Sequence, residues 1–100
     1  MIRFEILLPQ FYNDGRPIER EKFLQTDDEL VQAFGATATV VTHGRWVYQS
    51  TQYHDQLIRV RLDIEDTPEN WQTIRTIKET LKMRFEQLEI WITAHRVDIV

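Results

Sequence analysis

The chain has 100 residues, 42% of them hydrophobic, no cysteine and a formal net charge of −4. That length fits one domain with one core, and the missing thiols exclude disulfides, thiolate catalysis and sulfur-ligated zinc, which suits a reducing compartment, here taken as the cytoplasm. The negative field disfavours polyanionic partners, although a local basic patch could override it. A membrane is not expected as a partner. The longest uncharged stretch, Leu30 to Gly44, is too short and too rich in Thr, Gly and Gln to span a bilayer, and Met1 to Pro9 carries Arg3 and Glu5 where a signal peptide needs an unbroken apolar core.

Ile2, Phe4, Ile6 and Leu8 alternate with Arg3, Glu5 and Leu7, the period of a half-buried strand that stops at Pro9. Asn13, Asp14 and Gly15 make a turn. Between Pro17 and Phe34 the apolar residues fall roughly on one helical face, and the capping-box spacing of Thr26-Asp27-Asp28-Glu29 in its middle leaves open one helix or two short ones. Gly35 suits the left-handed position after a helix, and the β-branched run Thr37 to Thr42 reads as strand. His43-Gly44 admits a hairpin turn or a glycine bulge. The bulge is preferred because one long strand then runs on through Trp46, Val47 and Tyr48 and turns near Ser50-Thr51, leaving two matching strand-helix-strand units.

The returning strand, Leu57 to Glu65, alternates Ile58, Val60, Leu62 and Ile64 inward with Arg59, Arg61, Asp63 and Glu65 outward. Thr67-Pro68-Glu69 is an N-cap, a proline at the first helical position and an acid matched to the helix dipole, followed by the stripe Trp71, Ile74, Ile77, Leu81 and Phe85. Lys78, Lys82 and Arg84 read as a solvated face. A last strand is predicted from Leu88 to Ile99. Strand, helix, strand, taken twice, predicts an α+β fold in one domain over residues 1–100: a ferredoxin-like split β-α-β sandwich, with a four-stranded antiparallel sheet, a long central hairpin and two helices on one face.

The Asp14-Gly15 turn, Phe34-Gly35, the Thr-rich strand, Gly44-Arg45-Trp46, the long hairpin and a helix ending Arg84-Phe85-Glu86-Gln87 together resemble small bacterial domains of unknown function that share this ferredoxin-like pattern. The resemblance spans most of the chain. It implies the fold and carries no activity with it.

Tyr53-His54-Asp55 sets a phenol, an imidazole and a carboxylate side by side, a candidate acid-base group, yet successive strand residues point to opposite faces, so His54 faces away from both neighbours. His43, His54 and His95 lack the short spacing of metal ligands, the three glycines are isolated, and Ser50, the single serine, has no nucleophile elbow. No catalytic residue, metal or cofactor is expected. RNA-binding domains of this topology present aromatic rings outward from the central strands, where this chain has Arg3, Glu5, Leu7, Arg59, Arg61, Asp63 and Glu65, so nucleic acid is a disfavoured partner.

The remaining surface is the sheet face that the helices leave open. Trp91, Thr93, His95, Val97 and Ile99 are expected there with Leu7 and Leu57, flanked by charges of both signs, Arg59 and Arg61 among them, the composition of a self-complementary or partner interface. A bulge near Ala94-His95 would instead return Val97 and Ile99 to the core. The sequence therefore predicts an interaction or assembly module, a homodimer or a binder of another protein. The alternative is an enzyme or ligand binder of the dimeric α+β-barrel type, with Trp91, His95, Arg59 and Arg61 lining a pocket between two sheets.

Overall fold

The computed structural model describes the backbone of residues 1–35, 38–48 and 51–100 and the side chains of residues 1–35 and 57–100. Its elements are β1 (Ile2–Pro9), α1 (Arg20–Phe34), β2 (Ala38–Tyr48), β3 (Thr51–Ile64), α2 (Pro68–Arg84) and β4 (Trp91–Arg96). The strands form one antiparallel sheet in the order β2-β3-β1-β4. Along β1 the period-two pattern is strict: Ile2, Phe4, Ile6 and Leu8 are each at most 5% exposed, while the residues between them are half-buried on the other side. Ile74 and Leu81 of α2, Leu30 of α1, and Val60, Leu62 and Ile64 of β3 complete the core with Phe85 and Ile90.

After Pro9 the chain turns at Gly15, whose φ of +91° favours glycine and whose N–H donates to the Tyr12 carbonyl at 2.9 Å. Phe11 bridges to Pro17, which keeps the chain extended there and delays the helix to Arg20. Of the two alternatives at Thr26 the structure has the single helix: α1 is continuous. The Thr26 hydroxyl donates to the Lys22 carbonyl one turn back at 2.7 Å and accepts from Arg84 Nη1 at 2.9 Å, so it works inside the helix and caps nothing. Gly35, at φ +90°, closes α1 by donating to the Val31 carbonyl at 2.7 Å.

The bulge reading of His43-Gly44 is also corrected. From Ala38 opposite Arg61 to Tyr48 opposite Thr51 every β2 residue faces one β3 residue, with Gly44 opposite Asp55, so the strand neither bulges nor turns there and the hairpin reverses between Tyr48 and Thr51. In consequence the hairpin is long but not central. Its last pairing alongside β1 is Thr42 with Leu57, opposite Pro9, and the six rows beyond, about 20 Å of strand at ~3.4 Å per residue, overhang the sheet. All four strands lie abreast only at Glu5, Ile6 and Leu7; toward Ile2 the sheet is β3-β1-β4, and toward Pro9 it is β2-β3-β1. The expected four-stranded ferredoxin-like sandwich with a central hairpin thus gives way to a β1-centred sheet that is three strands wide over most of its length and carries a lateral arm.

Thr67 caps α2 by accepting from the Asn70 N–H at 3.1 Å, with Pro68 behind it as the sequence predicts. Trp71 meets Phe4 edge-on at 4.9 Å and donates its indole N–H to Asp66 Oδ1 at 2.8 Å. The helix ends where Glu86 takes a positive φ of 54° and the Gln87 N–H reaches back to the Lys82 carbonyl at 2.9 Å. That turn throws Leu88 into solvent and drops Ile90 into the core, so β4 spans Trp91–Arg96 and not Leu88 to Ile99.

Candidate functional site on the open sheet face

Directly opposed residues of an antiparallel pair share a face. The registers therefore lay out the side of the sheet away from the helices as rows of β3, β1 and β4 residues: Arg59, Leu7 and Trp91; then Arg61, Glu5 and Thr93; then Asp63, Arg3 and His95. Leu57 lies beside Pro9 at the end toward the hairpin arm. Sequence parity anticipated Leu7, Leu57, Arg59, Arg61, Trp91 and His95 on one face, and the structure brings these six together. Val97 and Ile99 lie past the end of β4. The β1-β4 register is unbroken from Trp91 to Arg96, so no bulge returns them to the core; they follow the strand, Val97 half-buried with its N–H on the Met1 carbonyl and Ile99 exposed.

Trp91 is 68% exposed at the end of β4, next to half-buried Leu7. The opposite end is polar and paired. Arg3 grips Asp63 with two parallel hydrogen bonds, Nε to Oδ1 at 2.7 Å and Nη2 to Oδ2 at 3.0 Å, a geometry that only a guanidinium supplies. These bonds outweigh the opposing effect of burial and, with the charges of Arg3, Arg61 and His95 behind them, hold the Asp63 carboxyl below the usual carboxylate range. Between the two ends Glu5 serves two cations: its Oε2 lies 3.3 Å from Arg59 Nε and its Oε1 4.0 Å from Arg61 Nε. The Arg59 contact is an ion pair and not a hydrogen bond, and Arg59 Nε is buried with no hydrogen-bond acceptor among the described residues.

Sequence reasoning missed Arg3, Glu5 and Asp63 as working parts of this face. Their alternating signs on two strands were the available signal, but the pairing needs the register. It also missed Tyr12, a buried loop residue whose hydroxyl donates to Glu19 and accepts from Lys22, with the Arg16 guanidinium 4.7 Å from its ring. The hydrogen bond from Tyr12 holds the Glu19 carboxyl low, and the one to Tyr12 raises the Lys22 ammonium. This cluster ties the loop to α1, and through Lys22, 3.8 Å from Glu86, to the end of α2.

Tyr53, His54 and Asp55 occupy β3 positions opposite Trp46, Arg45 and Gly44 on the arm; their side chains, like those of His43 and Ser50, lie outside the described residues. Among the described residues no group of three or more His, Asp or Glu side chains could hold a metal ion, and no helix is long and apolar enough to cross a membrane.

No protein-family model matches the sequence, and no curated protein matches it. Solved structures do. A variant of CutA1 from Pyrococcus horikoshii aligns with a TM-score of 0.63 at 14% identity over 100% of this chain and 86% of that one. The PII-like protein CutA from Nostoc sp. PCC 7120, in apo form, gives 0.65 at 10% identity over 98% and 82%. A phage SAM lyase in complex with S-methyl-5'-thioadenosine gives 0.68 at 11% identity over 94% and 79%. At such identities the likeness is one of fold. The chain has the fold of the CutA and PII-like proteins, and this replaces the ferredoxin-like sandwich expected from the sequence.

Proposed function

We propose that this protein is an assembly module that associates with copies of itself through the open sheet face, the two-fold dimer being the smallest closed form. The observation that carries the reading is Trp91, two-thirds exposed in register with Leu7 and Arg59 on a face that no helix covers. A large ring beside aliphatic and guanidinium groups is the residue set that anchors protein interfaces. Arg3 and Asp63 are locked together in one chain, so they present fixed charges of both signs to a second copy. The absence of cysteine suits a cytoplasmic location for such a module. Sedimentation equilibrium across a range of concentrations tests the reading: the mass rises to a multiple of the 12.1 kDa chain. A single-chain mass at the highest concentration would overturn it.

A second reading is supported by the phage SAM lyase solved with S-methyl-5'-thioadenosine, whose fold this chain shares. In it two sheets enclose a ligand pocket lined by Trp91, His95, Arg59 and Arg61, and the protein binds a small molecule. S-Methyl-5'-thioadenosine is the first probe. Under this reading it raises the melting temperature of the wild type and not of a Trp91→Ala variant; an unchanged melt of the wild type would count against this ligand.

A further inference from the structure

We infer that Arg59 and Arg61 form a binding site for a small oxyanion on the open face, and that filling this site permits the face to close. The second half rests on the self-association proposed above; the first does not. In the three described rows of this face, three guanidiniums, Arg3, Arg59 and Arg61, meet two carboxylates, Glu5 and Asp63, with Glu65 past the last row. Arg3 consumes both oxygens of Asp63. Glu5 is left alone to serve Arg59 and Arg61, and it satisfies neither: the Arg61 contact, at 4.0 Å, is beyond hydrogen-bond reach, and Arg59 Nε has no acceptor among the described residues. Although the chain as a whole is negative, the two rows that hold Arg59 and Arg61 carry two guanidiniums against the single carboxylate of Glu5 among the described residues.

Both arginine side chains keep access to solvent, 38% and 43% exposed, and because Arg59 Nε itself is buried it is their terminal nitrogens that can meet a ligand, whereas Glu5 is only 15% exposed. Two planar forks beside a covered carboxylate are suited to an anion with at least two oxygens, a phosphate or a carboxylate, which can accept from both at once. Arg59 faces Leu7, which faces Trp91 in turn, so an apolar shelf borders the anion position. In the open monomer the surplus charge is hydrated and costs little. Covered by a second copy it would be a buried cation without a partner, and the copies would bring two of them together. An oxyanion bound at Arg59 and Arg61 removes that penalty, so association becomes a function of anion concentration.

Inorganic phosphate is the probe, compared with chloride at matched ionic strength so that general screening is held constant. Two readouts are taken on the full chain: the arginine Nε–H resonances during a phosphate titration, and the sedimentation mass with and without phosphate. The expected result is saturable movement of two arginine resonances, lost in Arg59→Gln and Arg61→Gln, together with association at least about tenfold tighter in phosphate, a difference of ~1.4 kcal/mol. Arg20→Gln, a change on exposed α1 surface, leaves both readouts as in the wild type. Association of equal strength in both salts with no resonance movement would overturn the inference and leave the self-association reading standing. Saturable phosphate binding by a chain that stays monomeric would keep the site, overturn its coupling to assembly and sink the self-association reading.

Discussion

The two faces of β1 are built from the same eight residues and do opposite things. Ile2, Phe4, Ile6 and Leu8 point under the helices and are at most 5% exposed; Arg3, Glu5 and Leu7 point the other way into a ladder of charges that ends at an exposed tryptophan. The covered face is held by removal of apolar surface from water, which is worth roughly 1.5–3 kcal/mol for each large side chain and needs no partner beyond this chain. The open face is held by paired charges near solvent, which contribute little to stability, and its apolar residues remain unused within one chain. Stability thus rests on one side-chain set of a single strand and hardly at all on the other, so each can be altered with little effect on the other.

The largest effects belong to the covered face. Phe4→Ala and Leu81→Ala, both in fully enclosed positions, are expected to cost about 3–5 and about 2–5 kcal/mol respectively in urea unfolding. A loss below about 1 kcal/mol at either site would break the comparison, since losses that small belong to exposed positions.

Next comes the polar link within the helix layer. Arg84, its side chain 9% exposed, donates to Thr26 at 2.9 Å and to Glu29 at 2.7 Å, joining α2 to α1. Arg84→Met is expected to cost about 1–3 kcal/mol by leaving the buried Thr26 hydroxyl without its donor and the Glu29 carboxylate without its cation. Full stability in this variant would mean that the helices are held by apolar contacts alone.

The smallest effect is predicted for the ladder. Because Arg3 lowers the folded-state pKa of Asp63, the pair stabilises the protein at pH values above the unfolded carboxyl value of about 3.9, and the contribution is lost as pH falls through the folded value. Asp63→Asn should therefore lie within about 1 kcal/mol of the wild type at neutral pH, and the difference should vanish under acid. A gap that widened as pH fell would reverse the assigned direction of the shift.

Local pattern made much of this legible. The alternation in β1 and the Thr67-Pro68-Glu69 start of α2 are written in neighbouring residues, and strand parity placed Leu7, Arg59 and Trp91 on one face. What failed depended on distant residues. Thr26 has capping-box spacing, but a guanidinium 58 positions away gives its hydroxyl another use. The Arg3-Asp63 grip joins residues 60 positions apart and is visible only once the register is known. Gly44 looked like punctuation, yet a regular ladder passes through it and the hairpin overhangs the sheet as a result. At the C-terminal end the pattern continued past Arg96, while the strand begins only after Ile90 has been anchored in the core, which puts Val97 and Ile99 beyond it.

The most direct test of the central claim compares the solution masses of Trp91→Glu and Met83→Glu with that of the wild type. Both substitutions place a carboxylate at an exposed apolar residue, Trp91 on the open face and Met83 on α2. The wild type and Met83→Glu are expected to sediment as the same multiple of the chain mass, while Trp91→Glu is a monomer with unchanged far-ultraviolet circular dichroism, because the new charge would be buried unpaired against a second copy. A Trp91→Glu variant that keeps the wild-type mass would rule out the open face as the contact between copies, and a wild type that is itself monomeric would rule out self-association.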